Sequence, residues 1–252
     1  MMILDNNIGT KVISNIGNNH KITLTENDNY TYMLFHLSKE NEIYFEMKYM
    51  YLFFLSDHLN SELMIYDEES SKKNVIKSNF GIEFYKKSKI KVKSNDNGIL
   101  FFCGTNSIEN DLNITEYKLY DKFYTVNKPW GKEFWLNEEG KPLSFKKILI
   151  NQGHQTSLQY HQYKCETNLL FEGNIDFVYS NSFANELKIE NDLSALSLNE
   201  ISYMQIDYNN IHRIKANSQT TLFEVSTPHL DDVIRVSDDT NRVSGRIKSE
   251  HN

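Results

Sequence analysis

The sequence contains little cysteine, proline and glycine, and it lacks long apolar runs. Its two cysteines, Cys103 and Cys165, are too few for a disulfide framework and are typical of a reducing compartment. With 3 prolines and 10 glycines, the turns must rely on Asn, Asp and Ser. No run of about 18 apolar residues occurs, and the N-terminal residues MMILDNNIGT lack the basic and apolar regions of a signal peptide. We therefore expect a cytoplasmic protein that does not insert into membranes.

A surplus of positive charge is also absent. The formal net charge is −7, whereas a nucleic-acid-binding surface needs a basic stripe. The one basic run, KKSKIKVK at 86–93, is read as an exposed or edge strand, where lysines discourage pairing with other chains. We therefore predict no nucleic-acid partner.

Many short strand-like runs fill the chain instead. They include YTYMLFHL, EIYFEMKY and GILFFC in the first half, and FKKILI, TNLLFEG and TLFEVS in the second. Turns rich in Asn, Asp and Ser separate them, and a polar stretch at 105–122 connects the two halves. We predict an all-β protein of two tandem jelly-roll barrels, with an N-terminal domain over 1–112 and a C-terminal domain over 113–252.

The second half carries a motif that suggests a metal site, Gly153-x5-Gln159-x-His161-x4-Glu166-x6-Gly173. Gln159 and His161 are two residues apart, so on a strand both side chains point to the same face. Glu166 follows after a short turn, and a neighbouring strand brings its carboxylate back to that face. Gly173 then supplies a bend that needs a residue without Cβ.

A fourth ligand is expected from His212, which lies between two later strand-like runs. The resulting set, Gln159, His161, Glu166 and His212, offers nitrogen and oxygen ligands and no thiolate. Such a set suits one divalent metal ion. Zinc is the first expectation, and manganese, iron, cobalt and nickel are the alternatives.

The spacing resembles the first motif of the cupin superfamily, G-x5-H-x-H-x(3,4)-E-x6-G, with Gln159 in place of the first His. The Gln-x-His variant is similar to the single-cupin phosphomannose isomerases, a type also found fused to mannose-1-phosphate guanylyltransferase. Further segments resemble that branch in the same order: KPWGKEFWL at 128–136, SLQYH at 157–161 and STPHLDDVIRVSDDTNR at 226–242. The resemblance covers about residues 126–246. In the second cupin motif the chain departs from the pattern, with Asn199, Gln205 and Asp207 where Gly and Pro are usual.

The resemblance implies an isomerase that interconverts an aldose and a ketose, with a sugar or sugar phosphate as substrate. It gives a catalytic role to Lys164, two residues before Glu166, and to Arg235, which matches the arginine of the family's L-D-D-V-V-R segment. The alternative for Arg235 is a surface ion pair with Asp231 or Asp232.

Two further residues are expected to bind the substrate. Ser157 precedes Gln159 by two residues and shares its face on a regular strand. Lys147 lies on the strand that leads into the motif.

The first half lacks the metal-ligand spacing, and its histidines, His20, His36 and His58, are scattered. We therefore predict a degenerate N-terminal barrel that serves packing, formation of a homodimer or walling of the pocket. Two other functions stay open. His161, Glu166 and His212 alone form the ligand set of non-haem iron(II) dioxygenases. The altered second motif instead favours a non-catalytic sugar-binding or regulatory bicupin.

Overall fold

The computed structural model describes residues 2–5, 10–14, 21–39, 42–58, 60–69, 71–85, 88–108, 117–183 and 193–251. The described chain is β-structure apart from turns and one 3₁₀ turn over Lys248–His251. It contains no helix that could cross a membrane. The predicted all-β class is confirmed. His20 and the middle of the predicted connector lie outside the described residues.

The chain divides into two compact units that interleave along the sequence. One unit, here called the C-terminal barrel, combines residues 1–17, 124–139 and 144–252. The other, the N-terminal barrel, combines residues 18–123 and 140–143. The sequence-based boundary between residues 112 and 113 does not include this interleaving. The division into two separate domains at that boundary stays a prediction.

The N-terminal barrel consists of a six-stranded and a four-stranded antiparallel sheet, with strand orders β12-β9-β6-β11-β4-β3 and β5-β10-β7-β8. Its strands are β3 (Lys21–Glu26), β4 (Thr31–Leu37), β5 (Glu42–Met47), β6 (Tyr49–Leu55), β7 (Glu62–Asp67), β8 (Lys73–Lys77), β9 (Phe80–Phe84), β10 (Ser88–Ser94), β11 (Gly98–Thr105) and β12 (Lys118–Tyr120). The basic run predicted at an edge forms β10, which pairs with β5 and β7 on its two sides. The edge placement was therefore wrong, because the buried Ile90 and Val92 anchor this strand inside the sheet.

The interior of the N-terminal barrel is apolar. Alternate residues of β6, Met50, Leu52 and Phe54, join a buried cluster that continues to Leu63 and Val92. Within the same cluster, the rings of Phe45 and Phe102 stack with centroids 4.3 Å apart. Packing of this kind is typical of a filled jelly roll.

The C-terminal barrel consists of an eight-stranded sheet, β1-β2-β20-β17-β22-β15-β14-β13, and a five-stranded sheet, β19-β18-β21-β16-β23. Its strands are β1 (Met2–Asp5), β2 (Thr10–Ser14), β13 (Tyr124–Lys128), β14 (Gly131–Trp135), β15 (Ser144–Ile150), β16 (Leu158–His161), β17 (Glu166–Glu172), β18 (Asn174–Phe183), β19 (Leu193–Asn199), β20 (Ser202–Ile206), β21 (Asn210–Ala216), β22 (Thr220–Ser226) and β23 (Val233–Ser237). The first strands of the chain belong here because β2 pairs with β20.

The apolar core of the C-terminal barrel contains Ile148, Leu170, Phe177 and Ile214, which come from both sheets. Gly173 makes the bend between β17 and β18 with φ of +104°, and a Cβ there would lie 2.6 Å from the carbonyl oxygen of Gln219. The predicted need for a residue without Cβ is therefore met.

Candidate metal centre

The predicted ligands come together inside the C-terminal barrel. Gln159 and His161 lie on β16, and Glu166 begins β17 after a tight turn. His212 lies on β21, where its Cα is directly opposite Gln159 in the antiparallel ladder. The pairing of β16 with β21 brings together side chains that are about fifty residues apart in sequence.

Three of these residues present ligand atoms to one another. The Nε2 atom of His212 lies 3.1 Å from Oε1 of Glu166, and Nε2 of His161 lies 3.7 Å from Oε2 of Glu166. The three ligand atoms fall within 4.8 Å of one another, and all three residues are buried. Among the described residues, this is the one cluster of its kind.

Hydrogen bonds fix both imidazoles in the form that binds metals. The Nδ1 atom of His161 lies 2.8 Å from the Asp232 carboxylate, and Nδ1 of His212 lies 3.0 Å from the carbonyl oxygen of Asn210. Both partners only accept hydrogen bonds, so each Nδ1 carries a proton and each Nε2 is the ring nitrogen that faces the Glu166 carboxylate. A divalent cation bound between these atoms would take the place of any proton that they share. The residues present therefore fit a divalent metal ion.

Electrostatics keep the ligands in the required charge states. Burial and the Lys164 ammonium lower the pKa of His161, so its ring is neutral near pH 7. Burial alone would raise the pKa of Glu166, but Lys164 and His212 lower it well below the usual value. Glu166 is therefore a carboxylate at any pH at which the protein would function.

The Asp232 carboxylate also fixes the turn between β16 and β17. Its Oδ2 atom accepts hydrogen bonds from the backbone N–H groups of Tyr163 and Lys164, at 2.8 and 2.9 Å. Burial raises the pKa of the Asp232 carboxyl, but the hydrogen bond from His161 and its other contacts outweigh this effect and bring the pKa below its usual value. The carboxyl group is therefore ionised at neutral pH. Asp232 thus orients the His161 ring and holds the turn at Tyr163 and Lys164 that leads to Glu166.

Gln159 lies beside the cluster but does not present its oxygen to it. Its Oε1 accepts a hydrogen bond from Ser157 Oγ at 2.6 Å, and its Nε2 lies 3.5 Å from Nε2 of His161. A half-turn of the amide would exchange these two atoms and bring the oxygen to the metal position, because the Ser157 hydroxyl can also accept a hydrogen bond. Ser157 lines the cavity beside Gln159, and its predicted role in substrate binding stays a prediction.

A row of alternating charges runs along the wall of the barrel to the ligands. The Lys164 ammonium contacts both Glu166 and Glu224, and Lys146 lies 3.8 Å from Glu224. On the far side, Lys146 lies 3.6 Å from Glu133. Each buried charge in this row has at least one opposite charge beside it, which offsets the cost of burial.

Arg235 lies in the pocket wall, opposite Gln159 in the ladder of β16 and β23. It makes no ion pair with Asp231 or Asp232, which was the alternative expectation. Its Nη1 atom donates to the carbonyl oxygens of Val243 and Gly245, and among the described residues its buried Nε has no acceptor. Arg235 is thus a cation of the pocket without a carboxylate partner in the described chain.

Lys147 lies outside the cavity, contrary to the sequence-based expectation. It is opposite Phe223 in the ladder of β15 and β22, with its ammonium 6.0 Å from that ring's centroid. The neighbouring Lys146 takes the inward-facing position and lines the cavity. The physical reason is the period of two along a strand, which places adjacent residues on opposite faces.

The sequence reasoning missed three residues of the site: Asp232, Lys146 and Glu224. The segment TLFEVS carried one usable signal, a glutamate at an inward-facing position of an otherwise apolar strand. Asp232 and Lys146 carried none, since their roles depend on which strands pair. The cavity that these residues line has a volume of about 120 Å³.

Comparisons with known proteins identify the fold and not a family. No family model matches the chain, and no curated protein matches its sequence. Solved structures do match. An oxalate decarboxylase variant of Bacillus subtilis aligns with a TM-score of 0.62 at 8% identity, covering 90% of this chain and 75% of that one. The formate complex of the Lactobacillus farciminis oxalate decarboxylase gives 0.57 at 12% identity, covering 93% and 86%.

A third match is the HEPD protein of Streptomyces albus with 2-hydroxyethylphosphonate and Fe(II) bound, at a TM-score of 0.61 and 6% identity, covering 88% of this chain and 74% of that one. These matches show the fold alone, and the predicted tandem jelly-roll architecture is confirmed. The cupin resemblance of the sequence is consistent with that fold. The bicupin matches give no support to the narrower resemblance to phosphomannose isomerases.

Proposed function

We propose that this bicupin is a metal-dependent enzyme that isomerises a small anionic sugar, an aldose–ketose isomerase for a sugar phosphate. The observation that carries the proposal is the cluster of His161, Glu166 and His212, with the Nε2 atoms of both histidines turned toward the carboxylate. These three residues, together with Gln159 after its amide turns, would hold one divalent ion. Such an ion, when bound, polarises carbonyl and hydroxyl oxygens of a substrate.

The charges of the cavity favour an anionic substrate. Arg235, Lys128 and Arg246 line it together with the buried Lys146 and Lys164. Most of these cations form direct ion pairs, whereas Arg235 forms none among the described residues and interacts with Asp238, Glu250 and Glu133 only at longer range. A guanidinium without a carboxylate in direct contact, in a partly buried wall, is suited to a phosphate or carboxylate.

Lys164 and Asp232 would maintain the reactive arrangement. Although burial lowers its pKa, the contacts with Glu166 and Glu224 raise the pKa of Lys164, so the ammonium is retained and can donate to a substrate oxygen. Asp232 holds the His161 ring, and therefore its Nε2, in one orientation.

A second candidate is a non-haem iron(II) dioxygenase. The specific observation that favours it is that His161, Glu166 and His212 cluster as three ligands while Gln159 keeps its oxygen on Ser157. A site with three protein ligands leaves positions for substrate and dioxygen. The Fe(II)-bound HEPD structure shows that a similar fold carries such an ion in another protein.

The deciding experiment loads the purified protein separately with Zn²⁺, Mn²⁺, Co²⁺, Ni²⁺ and, without oxygen, Fe²⁺. Each form is incubated in D₂O with mannose, fructose and glucose 6-phosphates, and deuterium in the sugar is measured by mass spectrometry. In parallel, the Fe²⁺ form is supplied with oxygen and a panel of small acids that includes oxalate and 2-hydroxyethylphosphonate, and oxygen uptake is recorded.

Deuterium incorporation that needs the metal and is lost in His161→Ala supports the isomerase. Oxygen uptake without exchange supports the dioxygenase instead. If neither reaction occurs although one metal ion is bound per chain, the non-catalytic sugar-binding alternative replaces both.

A further inference from the structure

We propose that Glu224 is the proton-transfer group of this site, the residue that moves a proton between neighbouring carbons of the substrate. This inference rests on the proposed isomerase function, which requires such a group within hydrogen-bond reach of the substrate carbons. It adds a residue that the ligand motif does not contain and that lies on a different strand, β22.

Elimination among the carboxylates of the cavity leads to Glu224. The cavity is lined by four: Glu133, Glu166, Asp231 and Glu224. Glu166 faces both histidines as a ligand. Asp231 has a side chain that is 66% exposed and lies toward the solvent-side Arg246, at 3.8 Å.

Glu133 is held as a permanent anion. Its Oε2 accepts a hydrogen bond from the Trp135 indole and lies 3.6 Å from Lys146, and its Oε1 lies 3.7 Å from Lys128. Burial raises the pKa of Glu133, but the two lysines and the indole lower it to about 2. With both oxygens occupied by cations or a donor, Glu133 is unsuited to accept a proton.

Glu224 has the opposite arrangement. Its Oε1 accepts a hydrogen bond from Lys164 at 2.9 Å and lies 3.8 Å from Lys146. Its Oε2 receives no hydrogen bond from any residue that the structure describes, although the side chain lines the cavity and is 9% exposed. One oxygen therefore anchors the carboxylate, and the other is available to a substrate.

Glu224 is also suitably placed, relative to the metal ligands, to reach the carbons of a bound substrate. The Lys164 ammonium contacts Glu224 on one side and Glu166 on the other, so a single nitrogen separates the proposed base from a ligand. The ladder fixes this arrangement, because Glu224 is opposite Asn168 of β17 and Lys146 of β15. A substrate whose oxygens are oriented at the ligands would have its carbons within reach of Oε2.

The step conserves all atoms and electrons. Oε2 of Glu224 takes the proton from the carbon next to the carbonyl, the C–H electron pair forms a carbon–carbon double bond, and the carbonyl pair moves onto its oxygen. The protonated Glu224 then gives its proton to the former carbonyl carbon. The hydroxyl proton passes between the two oxygens, so the product is an isomer of the substrate. During the return, the proton on Glu224 exchanges with solvent and leaves a deuterium label.

The test compares Glu224→Gln with Glu133→Gln, a matched change of another carboxylate in the same row of lysines. Metal-loaded proteins are incubated in D₂O with the three hexose 6-phosphates. Metal content and thermal unfolding are measured on the same samples. We expect Glu224→Gln to retain its metal and to lose deuterium exchange by about 100-fold or more, the usual contribution of a positioned base. Glu133→Gln should lose far less.

A second variant protects the test against a folding defect. Glu224→Ala leaves a gap that formate can fill, and added formate should restore exchange in this variant but not in His161→Ala. A structural role for Glu224 would show no rescue. If wild-type protein exchanges deuterium and Glu224→Gln exchanges at a similar rate, the assignment of Glu224 is overturned while the isomerase stands. If wild-type protein exchanges no sugar phosphate, both fail together.

Discussion

The two barrels of this protein share an architecture of antiparallel sheets but differ in what points inward. In the N-terminal barrel the inward positions hold Leu52, Phe54, Phe102 and similar residues, which close the interior. In the C-terminal barrel, histidines, carboxylates and lysines line a cavity of about 120 Å³. A jelly roll thus supplies inward positions at every second residue, and the residue types there decide between a packed core and a site.

The difference also shows how polar residues are accommodated in the C-terminal barrel. Glu166, Lys164 and Glu224 are all buried, and each lies against an opposite charge. The wall of the cavity is therefore a neutralised row rather than a set of isolated charges. Removal of a single member would leave its neighbour as an uncompensated buried charge, which is costly.

The largest expected effect is the loss of metal binding, the property that distinguishes the C-terminal barrel from the N-terminal barrel. His212→Ala removes one of the two imidazole ligands and should greatly reduce stoichiometric binding of a divalent ion, because one imidazole, one carboxylate and the weakly donating Gln159 amide remain. Elemental analysis after dialysis checks this, with about one ion per chain expected for wild type. His154→Ala, an exposed histidine of the same barrel, is the control and should bind like wild type. Equal metal content in all three proteins would place the ion elsewhere.

The next effect concerns the packed barrel. Leu52→Ala opens a cavity in the N-terminal core and should lower the free energy of unfolding by about 2–5 kcal/mol. Leu119→Ala, at a side chain that is 47% exposed, should cost less than about 0.5 kcal/mol. Urea unfolding measures both. The account also expects folded Leu52→Ala to bind metal like wild type; a loss of metal without unfolding would contradict the division of roles.

A smaller effect sharpens the description of the metal site. Asp232→Asn weakens the hydrogen bond that fixes the His161 ring and should reduce metal affinity by about 10–100-fold. The adjacent Asp231→Asn changes an exposed carboxylate and serves as the matched control. Calorimetric titration of both variants measures the affinities. Similar affinities would mean that Asp232 does not position His161.

The sequence analysis selected residues that lie near one another because they are local in the chain or lie at inward strand positions, and their role as metal ligands stays a prediction. Gln159, His161 and Glu166 sit within eight residues, and a period of two with one turn is enough to bring them together. Lys146 and Asp232 could not be predicted from the local sequence, because their positions depend on how distant strands pair. Whether Lys146 or Lys147 faces inward depends on the register in which β15 pairs with β22. The local sequence pattern does not determine that register.

For the fold as well, local features could be predicted from the sequence and long-range strand pairing could not. Short strands and turns indicated tandem jelly rolls, which the structure confirms. The pairing of β2 with β20 joins residues nearly two hundred positions apart, and no local signal marks it. Likewise, the lysines of β10 suggested an edge, although its alternate Ile90 and Val92 were equally consistent with an inner strand.

The smallest expected effect uses one cysteine in each barrel. Burial raises the pKa of both Cys103 and Cys165, and Cys103 is fully buried in the packed barrel whereas Cys165 is 6% exposed. In native protein at pH 8 a thiol reagent should modify Cys165 slowly and Cys103 more slowly still, since only the thiolate reacts. Mass spectrometry of digests after timed labelling measures the two rates, and labelling in urea is the control. Faster labelling of Cys103 would show that the N-terminal core opens more readily than its packing indicates.

The most direct test of the central claim is anomalous diffraction from crystals of the protein grown with Mn²⁺ or Co²⁺. We expect one peak per chain, bonded to Nε2 of His161, Nε2 of His212 and a carboxylate oxygen of Glu166. A peak at any other cluster, or none in protein that retains both histidines, would contradict it.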